Sequence, residues 1–233
     1  MVLLLALALL VFLSYQSPSL TGSHSFVRSF WLEDRPYPPR VLLLPDGDII
    51  LAHLGSFSSD TDMVVYRLTS RGEVKWAKRL GTDEPNDLTS IALGADGNVA
   101  ILGKAYYNSL NYGLHLTILT VEGDVLLSKV YYYSRIYTSW SRITSDPTDG
   151  GYVIAGQGKI PRNRMLKTFA FKVSSSGEIE WSVNVNDNIS ADKFLQIMEP
   201  LVMSAGDVIL LGFLDKPQNI RDDTFLVKLN GSG

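Results

Sequence analysis

The sequence predicts an all-β fold assembled from four copies of a roughly fifty-residue, four-stranded unit. Three observations predict it. A glycine turn leading into a short apolar strand recurs four times. A second strand, with a glycine at a fixed distance beyond it, follows each copy. No stretch sustains a helical period of hydrophobicity.

The first block runs from Asp46-Gly47-Asp48 into Ile49–His53, and from Asp96-Gly97-Asn98 into Val99–Gly103. It recurs from Asp149-Gly150-Gly151 into Tyr152–Gly156, and from Ala205-Gly206-Asp207 into Val208–Gly212. Each copy has glycine at its second position, where a tight hairpin turn needs positive φ. The second block is Val65–Leu68 with Gly72, Leu116–Leu119 with Gly123, Ala170–Val173 with Gly177, and Leu226–Leu229 with Gly233. Those glycines are 51, 54 and 56 residues apart. A third strand follows at Glu73–Trp76, Asp124–Leu127 and Glu178–Trp181. Another apolar stretch precedes each turn: Val41–Leu44, Ile91–Leu93, Ile143 and Leu201–Met203.

Four short strands per unit, repeated at this period, describe the blade of a β-propeller. A lone blade leaves both faces exposed, and stacking blades around an axis covers them. Residues 23–30 align with residues 73–80, with Phe26 in the place of Trp76. An N-terminal strand is thus expected to complete the last blade. The alternative is that the four units are a fragment of a larger propeller that continues beyond Gly233.

Composition narrows the function. Apolar residues make up 45% of the 233 and charged residues 19%, a globular balance. The net charge of −3 offers no basic face for phosphates, so no nucleic-acid partner is expected. With no cysteine, disulfides and thiolate metal sites are excluded. Val2–Leu13 is an unbroken apolar run, too short for a comfortable membrane span and suited to a signal peptide. Residues 1–21 are read as a signal peptide or N-terminal membrane anchor, and residues 22–233 as the propeller domain. The repeat units are approximately 22–72, 72–123, 123–177 and 177–233. A secreted or extracytoplasmic location follows, with membrane attachment only through the N-terminal segment.

The run Asp149-Gly150-Gly151-Tyr152-Val153-Ile154-Ala155-Gly156, continued by Phe169–Trp181, resembles the repeat of secreted bacterial and archaeal β-propeller repeat proteins. The resemblance covers residues 22–233. Gly72–Trp76 and Gly177–Trp181 also resemble the tryptophan-docking turn of quinoprotein propellers, without that family's lead-in. The resemblance implies fold and export, and it implies no cofactor and no catalytic residue.

Most candidate site residues have a simpler role in turns or packing. His24, His53 and His115 sit in different units without metal-ligand spacing. The acidic groups Asp60/Asp62, Asp83/Glu84/Asp87, Asp187/Asp192 and Asp222/Asp223 read as solvated turns. Trp76 and Trp181 read as packing between blades. The feature in excess of the repeat is one loop face, carrying Tyr106, Tyr107, Tyr112, Tyr133, Arg135, Tyr137, Trp140, Arg162 and Arg164. Aromatic planes with interspersed donors suit sugar rings or a partner protein. The leading expectation is a non-enzymatic module binding a protein or carbohydrate through that face. The alternative is an extracytoplasmic hydrolase or lyase with its site at the propeller axis.

Overall fold

The computed structural model describes residues 38–57, 60–82, 86–108, 111–132, 137–159, 166–185, 194–215 and 223–232. They form an all-β propeller-type stack of four antiparallel sheets. The first sheet holds β1 (Arg40–Leu43), β2 (Ile49–Phe57), β3 (Asp60–Leu68) and β4 (Val74–Leu80) in that order. The second holds β5 (Asn86–Leu93), β6 (Val99–Asn108), β7 (Asn111–Leu119) and β8 (Val125–Tyr132). The third holds β9 (Tyr137–Ser145), β10 (Tyr152–Lys159), β11 (Leu166–Val173) and β12 (Ile179–Asn184). The fourth holds β13 (Phe194–Val202), β14 (Val208–Asp215) and β15 (Asp223–Leu229) among the described residues. The closing strand that the sequence assigns to residues 23–30 lies outside the described residues, as does the segment 1–21.

The turns explain the recurring glycines. In the first, Gly47 N donates to Leu44 O at 3.0 Å and Leu44 N to Asp48 O at 2.8 Å. That closure requires φ of +87° at Gly47, which a side chain rarely adopts. Asp46 adds the acceptor: its Oδ1 takes the Asp48 N–H at 3.0 Å. A cation on the third strand then reaches back to the same turn. Arg67 pairs with Asp46 and Asp48, Lys172 with Asp146 and Asp149, and Lys228 with Asp207.

The sheets stack because their second strands are apolar on both faces. In β6 and β10 the runs Val99–Leu102 and Tyr152–Ala155 are buried throughout, the signature of strands covered on both sides. One apolar cluster joins the first and second sheets through Ile50, Met63, Val65, Val99 and Ile101. A second joins the second and third through Leu102, Leu114, Leu116, Tyr152 and Phe171. A third joins the third and fourth through Val153, Ala170, Val208 and Leu210.

Polar contacts lock these junctions at the outer strands. Trp76 Nε1 donates to Val121 O at 2.9 Å, and the indole lies against Gly123 of the next sheet. A Cβ on Gly123 would sit 3.2 Å from that ring, and φ there is +91°, so glycine is needed twice over. At the next junction Lys129 Nζ and Tyr131 Oη both donate to Gly177 O at 2.8 Å. Packing between sheets is therefore the role of Trp76. Among the described residues, no helix is long and apolar enough to cross a membrane.

Candidate active site

The first strand of each sheet is its inner edge, and neighbouring sheets approach one another along β1, β5, β9 and β13. Register aligns one position on all four. Arg40 pairs with Ala52, Ser90 with Leu102, Arg142 with Ala155 and Glu199 with Leu211. Each partner is the fourth residue of its strand's apolar run. The inner strands thus bring an arginine, a serine, a second arginine and a glutamate to one level around the axis.

Two bulges shape this ring. In β5 the pairing passes from Leu88 to Ser90, leaving Thr89 as the extra residue. The carbonyl of Thr89 accepts from Arg40 Nε at 2.9 Å and lies 3.5 Å from Arg142 Nη1. In β13 the pairing passes from Ile197 to Glu199, leaving Met198 extra. Glu199 Oε2 then stands 4.0 Å from Arg142 Nε. Ser90 is buried, and its Oγ accepts the backbone N–H of Ile143 at 3.3 Å, so it serves the junction.

The charges of the ring shift one another. Burial lowers the pKa of Arg142, the like charge of Arg40 lowers it further, and Glu199 opposes both. Partial burial raises the pKa of Glu199 above its ordinary 4.5, against the pull of Arg142 and Arg40. The Glu199 side chain is 48% exposed, so water moderates that shift and also has access to the carboxyl. Among the described residues, the ring brings two guanidiniums and one carboxyl group together.

A second polar cluster spans the first two sheets. Asp62 pairs with Arg79 and is 3.5 Å from Asn86 Nδ2, which also donates to Thr82 Oγ1 at 3.1 Å. Those contacts turn Asn86 Oδ1 toward His115 Nδ1, 3.2 Å away. His115 then carries its proton on Nδ1. Its Nε2 accepts from the hydroxyls of Ser128 at 2.8 Å and Thr117 at 3.2 Å. Burial lowers the pKa of His115, with the Asp62 charge opposing. The imidazole is thereby held neutral as part of a junction.

The residues singled out from the sequence fare differently. Tyr106 is half-buried and its hydroxyl donates to the Asp87 carboxylate. Tyr107 and Tyr112 fall on β6 and β7, and Tyr137 and Trp140 on β9, with side chains outside the described set. Tyr133, Arg135, Arg162 and Arg164 lie outside the described residues, as does His24. His53 stacks on Tyr66 in the first sheet, centroids 5.5 Å apart, and His115 belongs to the second, so these two form no common site. Reading Asp62 and Asp87 as solvated turn residues was mistaken: both are buried, each held by a specific partner.

Sequence reasoning missed the axial ring. The available signal was the residue six positions before the turn aspartate, at Arg40, Ser90 and, with Ala205 in place of the aspartate, Glu199. In the third unit the spacing is seven, because its turn runs from Asp146 to Gly151 and holds one more residue.

No family model and no curated protein matches this sequence. Several solved structures are similar to it. An endo-arabinase from Bacteroides thetaiotaomicron matches with a TM-score of 0.53 at 11% identity, over 90% of this chain and 80% of that one. The polysaccharide lyase Uly1 matches at TM-score 0.43 and 11% identity, over 83% of this chain and 58% of the lyase. A mannose phosphorylase from Leishmania mexicana matches at 0.35 and 11%, over 82% of this chain and 60% of that one. At 11% identity the likeness to the arabinase is one of fold alone. The expectation of a protein that is not an enzyme is corrected by this. The architecture is one that enzymes use, as the arabinase shows, and exclusion of catalysis because the repeat lacks catalytic motifs does not stand.

Proposed function

We propose that this chain is a carbohydrate-active enzyme, a lyase or hydrolase working outside the cytoplasm on an anionic polysaccharide. Its chemistry is placed at Arg40, Arg142 and Glu199. The observation that carries this reading is the convergence of two guanidiniums and one carboxyl group of raised pKa at one level of the axis. Excess positive charge favours a sugar bearing its own carboxylate, and Arg presents the planar fork that recognises it.

Glycoside hydrolysis ordinarily uses two carboxyl groups. The described ring carries one, which suits β-elimination better. Arg40 and Arg142 would neutralise the sugar carboxylate and so acidify the adjacent C–H. Glu199 would take that proton. The electron pair forms the C=C bond as the C–O bond at the next carbon breaks, and the departing oxygen takes a proton from water. The aromatic loop face bearing Tyr106 is proposed as the surface along which the chain lies, since aromatic planes suit sugar rings.

The test is depolymerisation of uronate-containing and neutral polysaccharides, followed by the ultraviolet absorbance of an unsaturated product and by reducing ends. Cleavage of the uronate polymers with the absorbance signal is expected. Glu199→Gln should lower the rate by ~10²–10⁴-fold. Because the base must be ionised, activity should climb as pH rises through the raised pKa of Glu199. Failure to cleave any anionic polymer, or an unchanged rate in Glu199→Gln, would overturn the reading.

A further inference from the structure

Among the described residues, two sheet faces of the stack are left without a neighbouring sheet: the front of the first and the back of the fourth. Each internal junction sets the back of one sheet on the front of the next. The back of the second sheet carries Ala92, Ala100, Leu102 and Leu116, all buried by the third. Its front carries Ile91, Leu93, Val99 and Ile101, packed against the first.

Among the described residues, the same repeat positions recur at the ends without a cover. Register equates Leu226, opposite Leu211, with Leu116, opposite Leu102. Leu116 is 0% exposed and Leu226 is 69% exposed. On that same open back, Leu201 and Phe213 are also exposed. At the other end Val41, the counterpart of Ile91, is 63% exposed, and Leu43, the counterpart of Leu93, is exposed beside it. Among the described residues, no apolar cluster joins the fourth sheet to the first.

We infer that the open back of the fourth sheet takes the open front of the first sheet of a second copy of this chain. The argument is continuity: that contact would repeat the sheet-on-sheet junction already made three times within one chain, with the same repeat positions on each side. Such a contact is head-to-tail, so it closes or it grows into filaments. The described sheets of two copies number eight, within the range of closed propellers, and a symmetric pair would use both open ends of both copies.

The experiment is light scattering on size-exclusion chromatography of the full chain. A mass twice the 25.8 kDa of the chain is expected. Val41→Arg and Leu226→Arg each place a charge on one end face, at positions exposed within a single copy, so circular dichroism should be unchanged. Each variant alone should be monomeric, since every junction would then hold one charged face. A monomeric parent chain overturns the inference. So does a pair that survives either substitution, which would indicate a like-to-like contact.

Discussion

Leu116 and Leu226 hold the same place in the repeat, one at an internal junction and one on an open face. The same holds for Lys172 and Lys228, which both run from the third strand to the turn before the second. The Lys172 side chain is 9% exposed and meets Asp146, which is fully buried. The Lys228 side chain is 60% exposed and meets a partly exposed Asp207. One sequence pattern therefore yields two different energetic situations. What differs is whether another sheet lies on top, because burial removes the solvent that otherwise competes for the apolar surface and the charge.

The widest expected separation is at the lysines. Lys172→Met leaves the Asp146 carboxylate buried without its cation and should cost about 3–5 kcal/mol in denaturant unfolding. Lys228→Met should cost under about 1 kcal/mol, as exposed pairs do. Equal losses would sink the claim that position in the stack sets the cost. The leucines come next. Leu116→Ala opens a cavity between the second and third sheets and should cost about 2–5 kcal/mol. Leu226→Ala, measured in protein dilute enough to be monomeric, should fall within about 0.5 kcal/mol of the parent.

The smallest effect is the pH dependence of the His115 junction. Its folded pKa lies below the ordinary 6.5 because burial disfavours the imidazolium. As pH falls through about 6.5, the unfolded chain takes up the proton first, and the folded chain does so only lower. The contribution is therefore complete above that pH, declines as pH drops toward the folded value, and is flat below it. His115→Gln should remove that slope from a plot of unfolding free energy against pH. A slope that persists in the variant would assign it to other groups.

Much of the architecture could be read from the chain. Gly47, Gly97, Gly150 and Gly206 mark the turns, and all four adopt positive φ. Trp76 could be assigned to packing because its counterpart recurs at Trp181. The axial ring was not legible in the same way. Arg40, Arg142 and Glu199 lie far apart in sequence, and each reads alone as an ordinary charged residue on a strand. Their equivalence appears once register pairs each with the fourth residue of a second strand. Asp62 and Asp87 were misread for the same reason, since local acidity says nothing about the Arg79 or Tyr106 that folding brings alongside.

By itself the sequence determined the repeat, the turns and the alternation of apolar strands, because those depend on backbone conformation and on neighbours a few residues away. Only the tertiary structure decided which copies of a repeated residue are buried, which charges meet at the axis and which sheet faces stay open. Those outcomes depend on what lies across a junction some fifty residues distant, and identical local patterns cannot encode that difference.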